Sequence, residues 1–146
     1  MTELLHLGCG TEIKPHAHNV DKLNHKGVDE VVDLNETPWP WDDESYSKIL
    51  AEHVFEHLYN MEQTLQECER VLKPGGVLEI ALPIGHDAWV DPDHKHMWNY
   101  DTPEMYCGSR PWDRDVGLVV EDRSVDLWPH APGKLNYLYG GFLKGM

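Results

Sequence analysis

The stretch HLGCG, His6 to Gly10, constrains the fold of this chain most, because it runs from an apolar segment into a turn built on two glycines. Glu3 to Leu7 predicts a short strand, and a second strand around Val20 ends at Asp21, eleven residues after Gly10. A glycine turn lets the backbone approach a ligand closely, and a carboxylate after the neighbouring strand can accept both hydroxyls of a ribose. This spacing is far below the ~20 residues of the dinucleotide fingerprint, so it favours a ribose-bearing ligand without phosphates.

Further strands and helices follow in an order typical of α/β proteins. Asn35 to Ser45, which contains two prolines and two tryptophans, is predicted to be an ordered loop. We predict strands over Asp29–Leu34, Ser47–Glu52 and Val77–Leu82, a helix over Met61–Leu72, a short helix from Asp101 or Thr102, and a hairpin of Val116–Val120 with Ser124–Trp128. The sequence therefore predicts an α/β, Rossmann-like fold. Its sheet is mostly parallel with helices on its faces and an antiparallel C-terminal hairpin, and the early crossover helices are abbreviated.

The length of 146 residues predicts a single domain, with a core over about 3–128 and a tail, 129–146, whose packing is left open. The formal charge of −14 repels polyanions, so nucleic acid is a poor candidate partner. The three cysteines are irregularly spaced, and no apolar run reaches the ~18 residues of a membrane span. We therefore expect reduced thiols, no membrane contact and a cytoplasmic location.

Six motifs, taken together and in this order, resemble the class I S-adenosylmethionine-dependent methyltransferases, in particular small, shortened members of that superfamily. They are LHLGCG, NVD, VVDLN, AEHVFEHL, RVLKPGGVLEIALP and DPDHKHMW. The resemblance covers about residues 3 to 106. It implies a seven-stranded sheet whose last strand is antiparallel, S-adenosylmethionine as cofactor, and methyl transfer to an O or N acceptor on a small molecule or glycan-like substrate.

The same resemblance implies a cofactor site at the carboxyl ends of the first four strands. Gly8, Cys9 and Gly10 would line the methionine part, and Asp21 would hold the ribose. Asp33 and Leu34 are predicted to contact the adenine, and Glu52 and His53 are predicted to face the sulfonium side.

The loop DPDHKHMW follows the fifth strand, where an acceptor would approach the methyl group. Methyl transfer to oxygen or nitrogen needs a group that removes a proton, and histidine titrates near neutral pH. His94 is the preferred base, His96 and His86 are reserves, and Asp91 could orient the imidazole. A loop held only by its prolines and internal hydrogen bonds is an equally weighted interpretation.

Three alternatives stay open at the level of sequence. HVFEH, His53 to His57, matches the H-x-x-E-H pattern of zinc peptidases, but its first histidine falls at a strand end, so we expect no metal site. The chain could instead be a cofactor-binding or interaction module without turnover. A second copy of the chain could cover a thinly protected sheet face, as a homodimer.

An apolar wall of Trp39, Trp41, Trp89 and Trp98 beside the cofactor is a further hypothesis.

Overall fold

The computed structural model of the protein describes residues 2–108, 116–127 and 136–145. Within these ranges one sheet contains the strands β1 Leu4–Leu7, β2 Ala17–Asp21, β3 Glu30–Val31, β4 Tyr46–Glu52, β5 Leu72–Pro83, β6 Leu118–Leu127 and β7 Asn136–Lys144. The helices are α1 Met61–Val71, α2 His86–Val90 and α3 Thr102–Tyr106, and a 3₁₀ turn spans Phe55–His57. None of these helices has the length and hydrophobicity of a membrane span.

The strands lie in the order β3-β2-β1-β4-β5-β7-β6. All neighbours from β3 to β5 are parallel, whereas β7 runs antiparallel to both β5 and β6. In the described residues no helix lies between β1 and β4, so the early crossovers are loops, as predicted. The Rossmann-like, mostly parallel sheet with an antiparallel C-terminal pair is therefore confirmed.

The predicted hairpin is wrong in its strand boundaries. Glu121 to Arg123 was expected to be its turn, yet β6 continues through these residues, and its register against β7 shifts between Val120 and Asp122. A shift of this kind places an extra residue in a strand without ending it. Arg123 pairs with Gly140 and Asp122 with Gly141, so the polar run faces two residues that lack side chains. Trp128, the predicted end of the hairpin, lies outside the described residues.

The partner of β6 comes from the tail that the sequence left unplaced. Residues 136–144 form β7, which is inserted between β5 and β6 and pairs with both. The glycine pair and scattered aromatics of this segment do not alternate like an ordinary half-buried strand, which is why the pattern failed to reveal it. Residues 129–135 of the same tail are outside the described ranges.

The core lies on one face of the sheet, under α1. Asn60 caps this helix, its side chain accepting a hydrogen bond from the Gln63 backbone N–H at 3.0 Å. Side chains of α1 and of one face of the strands share a buried cluster that includes Leu5, Leu7, Ile49, Met61, Leu65, Cys68, Leu78 and Phe142. The other face carries Lys48, Leu50, Glu52 and Glu79, which are only partly buried. One face of the sheet is thus thinly covered, as the short crossovers predict.

Helix α1 ends at Val71, and β5 begins at once at Leu72, five residues before the predicted start at Val77. The β4–β5 register jumps from the pair Tyr46–Leu72 to the pair Lys48–Val77, so the KPGG segment is accommodated as an irregularity within the strand. Proline and glycine therefore mark a bend here and do not mark a separate loop.

The loop 35–45 is fixed to α1 by one partly buried ion pair, between Glu67 and Arg70. Glu67 accepts a hydrogen bond from the Trp39 N–H at 2.7 Å, and Arg70 donates to the Trp41 carbonyl at 2.8 Å. The hydrogen bonds from Arg70 to Glu67 lower the pKa of the Glu67 carboxyl. Trp39 and Trp41 are therefore core residues of this anchor, Trp98 stacks on Tyr106, and Trp89 is exposed, so the predicted tryptophan wall is wrong.

Candidate active site

The turns after β1 and β4 meet at the carboxyl edge of the sheet. Gly8 and Gly10 both adopt positive φ, at 59° and 51°. A Cβ on Gly8 would lie 2.3 Å from Cγ2 of Val54, whereas one on Gly10 would meet nothing within 4 Å. Gly8 is therefore required both for its backbone angle and for the close contact of the two turns.

Asp21 closes the glycine turn with its own carboxylate. Oδ2 accepts the Gly10 N–H at 2.8 Å and Oδ1 accepts the Leu23 N–H at 2.9 Å. Each carboxylate oxygen can accept a further hydrogen bond. The side chain is partly exposed, and it lines a cavity. Its orientation is thus fixed, while it keeps the capacity to bind a pair of hydroxyls.

We call this space, of about 350 Å³, the first cavity. Its lining combines apolar side chains with carboxylates and histidines: Gly8, Asp21, Lys22, Val32, Asp33, Leu34, Asn35, His53, Val54, His57, Leu58 and Asp93. Asp33 is held by the same device as Asp21, because its Oδ1 accepts the Asn35 N–H at 2.9 Å. The first cavity therefore collects five of the eight residues predicted to bind cofactor, from the ends of β1, β2 and β4 and from the loop after β3.

A second cavity, of about 300 Å³, adjoins the first and shares Gly8 and His53 with it. Cys9 and Glu52, two more of the predicted residues, line this one. Glu52 pairs with Lys14 at 3.2 Å, so the second cavity carries both an anionic and a cationic group. Burial raises the pKa of the Cys9 thiol, which favours its neutral form. Gly10 lines neither cavity and acts through its hydrogen bond to Asp21.

The 3₁₀ turn after β4 places the buried side chain of Glu56 next to His53 and His57. The side chain of Glu56 is 2% exposed, and its Oε1 lies 3.7 Å from Nδ1 of His53 and 3.9 Å from Nε2 of His57. A hydrogen bond with Glu56 raises the pKa of His53. The backbone carbonyl of Glu56 also accepts the Lys95 N–H at 2.6 Å, which ties the loop after β5 to this turn.

His94 is oriented by the preceding helix α2. Its Nδ1 lies 2.9 Å from the Ala88 carbonyl oxygen, and a carbonyl can only accept, so Nδ1 carries the proton. The Nε2 atom is thereby left with its lone pair whenever the ring is neutral. Its ring packs edge to face on His57 at a centroid distance of 4.9 Å, beside the first cavity.

The other predicted catalytic residues are placed differently. Nε2 of His96 lies 3.2 Å from the Tyr59 carbonyl oxygen, and His86 is exposed on α2. Like His94, neither of them lines the two cavities. Asp91 faces Nε2 of His94 at 3.7 Å and does not contact Nδ1. The orienting group of His94 is therefore a backbone carbonyl, which no sequence pattern could identify.

Several residues at this site were missed by sequence reasoning. His57, Asp93 and Val54 line the first cavity, and Lys14 lines the second. His57 and Glu56 belong to the HVFEH motif, which fits both the peptidase pattern and the methyltransferase resemblance, but the sequence assigns no role to these two residues. The repetition of histidine and acid in both HVFEH and DPDHKH was the available indication that the two loops meet.

These observations define the class of protein. An open α/β sheet with its ligand cavity at the carboxyl ends of the strands is a Rossmann-like nucleoside-binding fold. Carboxylates and apolar side chains dominate the lining, with Lys22 the one lysine or arginine among the first-cavity residues in the part of the chain described. This composition fits a nucleoside without phosphates, as S-adenosylmethionine is.

Residues 3–80 match the methyltransferase domain family, and the chain belongs to that family. The prediction of the class I S-adenosylmethionine-dependent methyltransferase superfamily is confirmed, and with it S-adenosylmethionine as the cofactor.

A curated relative, malonyl-(acyl-carrier protein) O-methyltransferase 1 of Coxiella burnetii, is 48% identical over 67 residues, covering 42% of this chain and 23% of the relative. The chain spans about a quarter of the length of the curated relatives it matches.

Solved structures share the fold at low identity. The 1,6-didemethyltoxoflavin-N1-methyltransferase of Burkholderia thailandensis, with its substrate and S-adenosylhomocysteine bound, superposes with a TM-score of 0.65 at 13% identity, covering 98% of this chain and 71% of that one. The (4+2)-cyclase SpnF superposes with a TM-score of 0.71 at 16% identity, covering 98% and 74%. A methyltransferase and a cyclase thus share this fold, so the fold alone does not determine the reaction.

Proposed function

We propose that this chain transfers the methyl group of S-adenosylmethionine to an oxygen or nitrogen of a small molecule or glycan-like acceptor. The observation that carries the proposal is the first cavity, in which Asp21 and Asp33, each held by a backbone N–H, border apolar side chains. The family match supports the activity.

In this proposal the two cavities divide the cofactor between them. Asp21 accepts the ribose hydroxyls, Asp33 and Leu34 face the adenine, and the second cavity takes the methionine end. The Lys14–Glu52 pair supports the last assignment, because an amino-acid tail carries one carboxylate and one ammonium and can exchange partners with such a pair. Gly8 and Cys9 line the passage between the ribose and that tail.

Catalysis would come mainly from alignment. When bound, S-adenosylmethionine supplies an electrophilic methyl group on a sulfonium sulfur. Holding an acceptor in line with such a group can remove roughly 7–11 kcal/mol of barrier. With Asp21, Asp33 and Leu34 holding the nucleoside, an acceptor could displace the sulfur from the methyl carbon, and the electron pair of the carbon–sulfur bond would go to sulfur. Where the acceptor must lose a proton, Nε2 of His94 is the proposed base, because the Ala88 carbonyl keeps its lone pair available.

A second candidate is a domain that binds the cofactor without turnover. It is supported by the absence of crossover helices between β1 and β4 in the described residues. Calorimetry with S-adenosylmethionine and S-adenosylhomocysteine separates the candidates when combined with a labelled-methyl screen of hydroxylated and aminated small molecules and glycans. Binding with transfer supports the enzyme, binding without transfer supports the second candidate, and no binding overturns both.

Two further parts of the proposal concern context. We propose a cytoplasmic location, supported by the absence of a disulfide among the three cysteines, all of which the structure describes. We also propose that a second copy covers the thin sheet face, where Leu50 and Val77 lie between charged residues. Light scattering at micromolar concentration tests the dimer, and a monomer mass would contradict it.

A further inference from the structure

We propose that Glu56, His57 and His94 form a binding site for one divalent transition-metal ion beside the first cavity. One ligand atom from each of the three lies within 4.8 Å of the other two. Among the residues that the structure describes, no other group of three histidine, cysteine or acidic side chains converges this closely. The site would stand whether or not the chain transfers a methyl group.

The buried carboxylate of Glu56 is the strongest indication of a ligand. Its Oε2 atom is buried and has no hydrogen-bond partner among the described residues. A buried carboxylate oxygen without a partner costs free energy, so such atoms are rare unless an ion or proton compensates them. One nitrogen each of His57 and His94 lies within 4.8 Å of a Glu56 carboxylate oxygen, so one metal ion could bind all three side chains.

His94 is oriented for coordination, and His57 is accessible from the first cavity. A metal-binding imidazole normally donates its other N–H to a carbonyl or carboxylate, which fixes the ring and exposes the lone pair. His94 does so through Nδ1 to the Ala88 carbonyl at 2.9 Å, and its side chain is 8% exposed. His57 is 40% exposed and lines the first cavity, so an ion can enter from that side.

The ligand set indicates the kind of ion. Two imidazole nitrogens and one carboxylate oxygen suit Zn²⁺, Fe²⁺, Mn²⁺ or Co²⁺, and three protein ligands leave positions open for water or a bound molecule. Bonds of about 2.0–2.2 Å require a modest contraction of atoms that already lie within 4.8 Å. Asp91 Oδ2, at 3.7 Å from Nε2 of His94, is available as a further ligand.

This site differs from the peptidase pattern in HVFEH. That pattern needs two histidines on one helix, whereas here the helix is a three-residue 3₁₀ turn and the second nitrogen comes from His94. His53 stays beside Glu56 as a hydrogen-bonding neighbour. The inference therefore departs from the metal-free site expected from the sequence.

The inference also changes the role of His94. Nε2 cannot be a metal ligand and a free base at the same time. With an ion bound, coordination to the metal would make an acceptor hydroxyl more acidic, and its proton would pass to solvent water. A measurement of metal binding therefore distinguishes the two roles of His94 and needs no assay of methyl transfer.

The test is a Co²⁺ titration of the chelator-treated full chain without a histidine tag, followed by visible absorption. We expect one equivalent of Co²⁺ to produce ligand-field bands between roughly 500 and 650 nm, which Zn²⁺ abolishes. Glu56→Gln, His57→Ala and His94→Ala should each weaken Co²⁺ binding by at least about 10-fold.

Matched controls are Glu36→Gln and His25→Ala, which remove the same chemical groups at positions away from the cluster and should bind Co²⁺ like the parent. Circular dichroism checks that each variant is folded. If Glu56→Gln does not fold, His57→Ala replaces it as the test, because His57 is the most exposed of the three ligands. Absence of the bands overturns the proposal. Bands of parental strength in folded His57→Ala and His94→Ala overturn it as well.

Discussion

Asp21 and Asp33 on one side, and His57 and His94 on the other, belong to the same site but are held in different ways. Each aspartate accepts the N–H of the residue two positions later, so a local turn determines its orientation. The histidines come from two loops separated by α1 and β5, and they meet through the Ala88 carbonyl and the Glu56 backbone. The proposed nucleoside end is therefore built locally, and the end proposed to face the acceptor is assembled by tertiary contacts.

This difference predicts that the two ends fail differently. Changes at the aspartates should reduce cofactor affinity, whereas changes at the histidines should alter turnover or metal binding and leave affinity nearly unchanged. The following predictions test that separation, beginning with the largest effect.

Asp21→Ala should weaken S-adenosylhomocysteine binding by about 10³-fold, because two charge-assisted hydrogen bonds to the ribose are worth about 2 kcal/mol each. Calorimetry measures the effect. Asp29→Ala, on the loop before β3, is the control, since Asp29 accepts hydrogen bonds from Asn19 and does not line either cavity. Parental affinity in Asp21→Ala would show that this carboxylate does not hold the ribose.

His94→Ala should lower kcat by about 100-fold, because general-base assistance typically contributes about that factor. The same variant should change S-adenosylhomocysteine affinity by less than about 3-fold. Comparison of kcat with the dissociation constant is the measurement. His86→Ala, on exposed α2, should have no effect on either. An equal loss of affinity and kcat in His94→Ala would break the separation of the two ends.

Gly8→Ala tests the point where the two ends touch. The added Cβ would meet Val54 at 2.3 Å in a backbone with positive φ, so we expect a loss of about 2–3 kcal/mol of unfolding free energy. Gly10→Ala shares the positive φ but meets no neighbour, and it should cost only about 1 kcal/mol. Urea denaturation distinguishes the two, and equal losses would mean that the Val54 contact is unimportant.

Lowering the pH should weaken the Glu67–Arg70 ion pair that fixes loop 35–45 to α1. The pKa of Glu67 is lowered from 4.5 by hydrogen bonds from Arg70, so its stabilising contribution is present above pH 4.5 and is lost as the pH falls through the lower folded value. Urea midpoints between pH 6 and pH 3 should therefore decline more in the parent than in Glu67→Gln. If the urea midpoints of the parent and of Glu67→Gln declined in parallel with pH, the prediction would be wrong. Glu62→Gln, on the same helix, is the control variant and should follow the parent.

Much of the fold followed from local pattern. Strands β1 and β4 and helix α1 were predicted to within one residue, because period, capping and punctuation agree there. The glycine turn was predicted for the same reason, because its positive φ angles depend on the glycines themselves. The ribose-binding role of Asp21 rests in part on the family resemblance and stays a prediction. The long β6 was missed, because a charged run that looks like a turn is tolerated opposite Gly140 and Gly141.

The sequence by itself determined the order of β1 to β5 along the chain, the abbreviated crossovers, and the carboxylates at the end of β2 and after β3, because each depends on short-range geometry. Only the tertiary structure decided that β7 lies between β5 and β6, that Trp39 and Trp41 pack in the core, and that His94 contacts His57 and not the solvent. The physical reason is that burial and pairing between distant segments depend on the whole set of contacts, which no local spacing specifies.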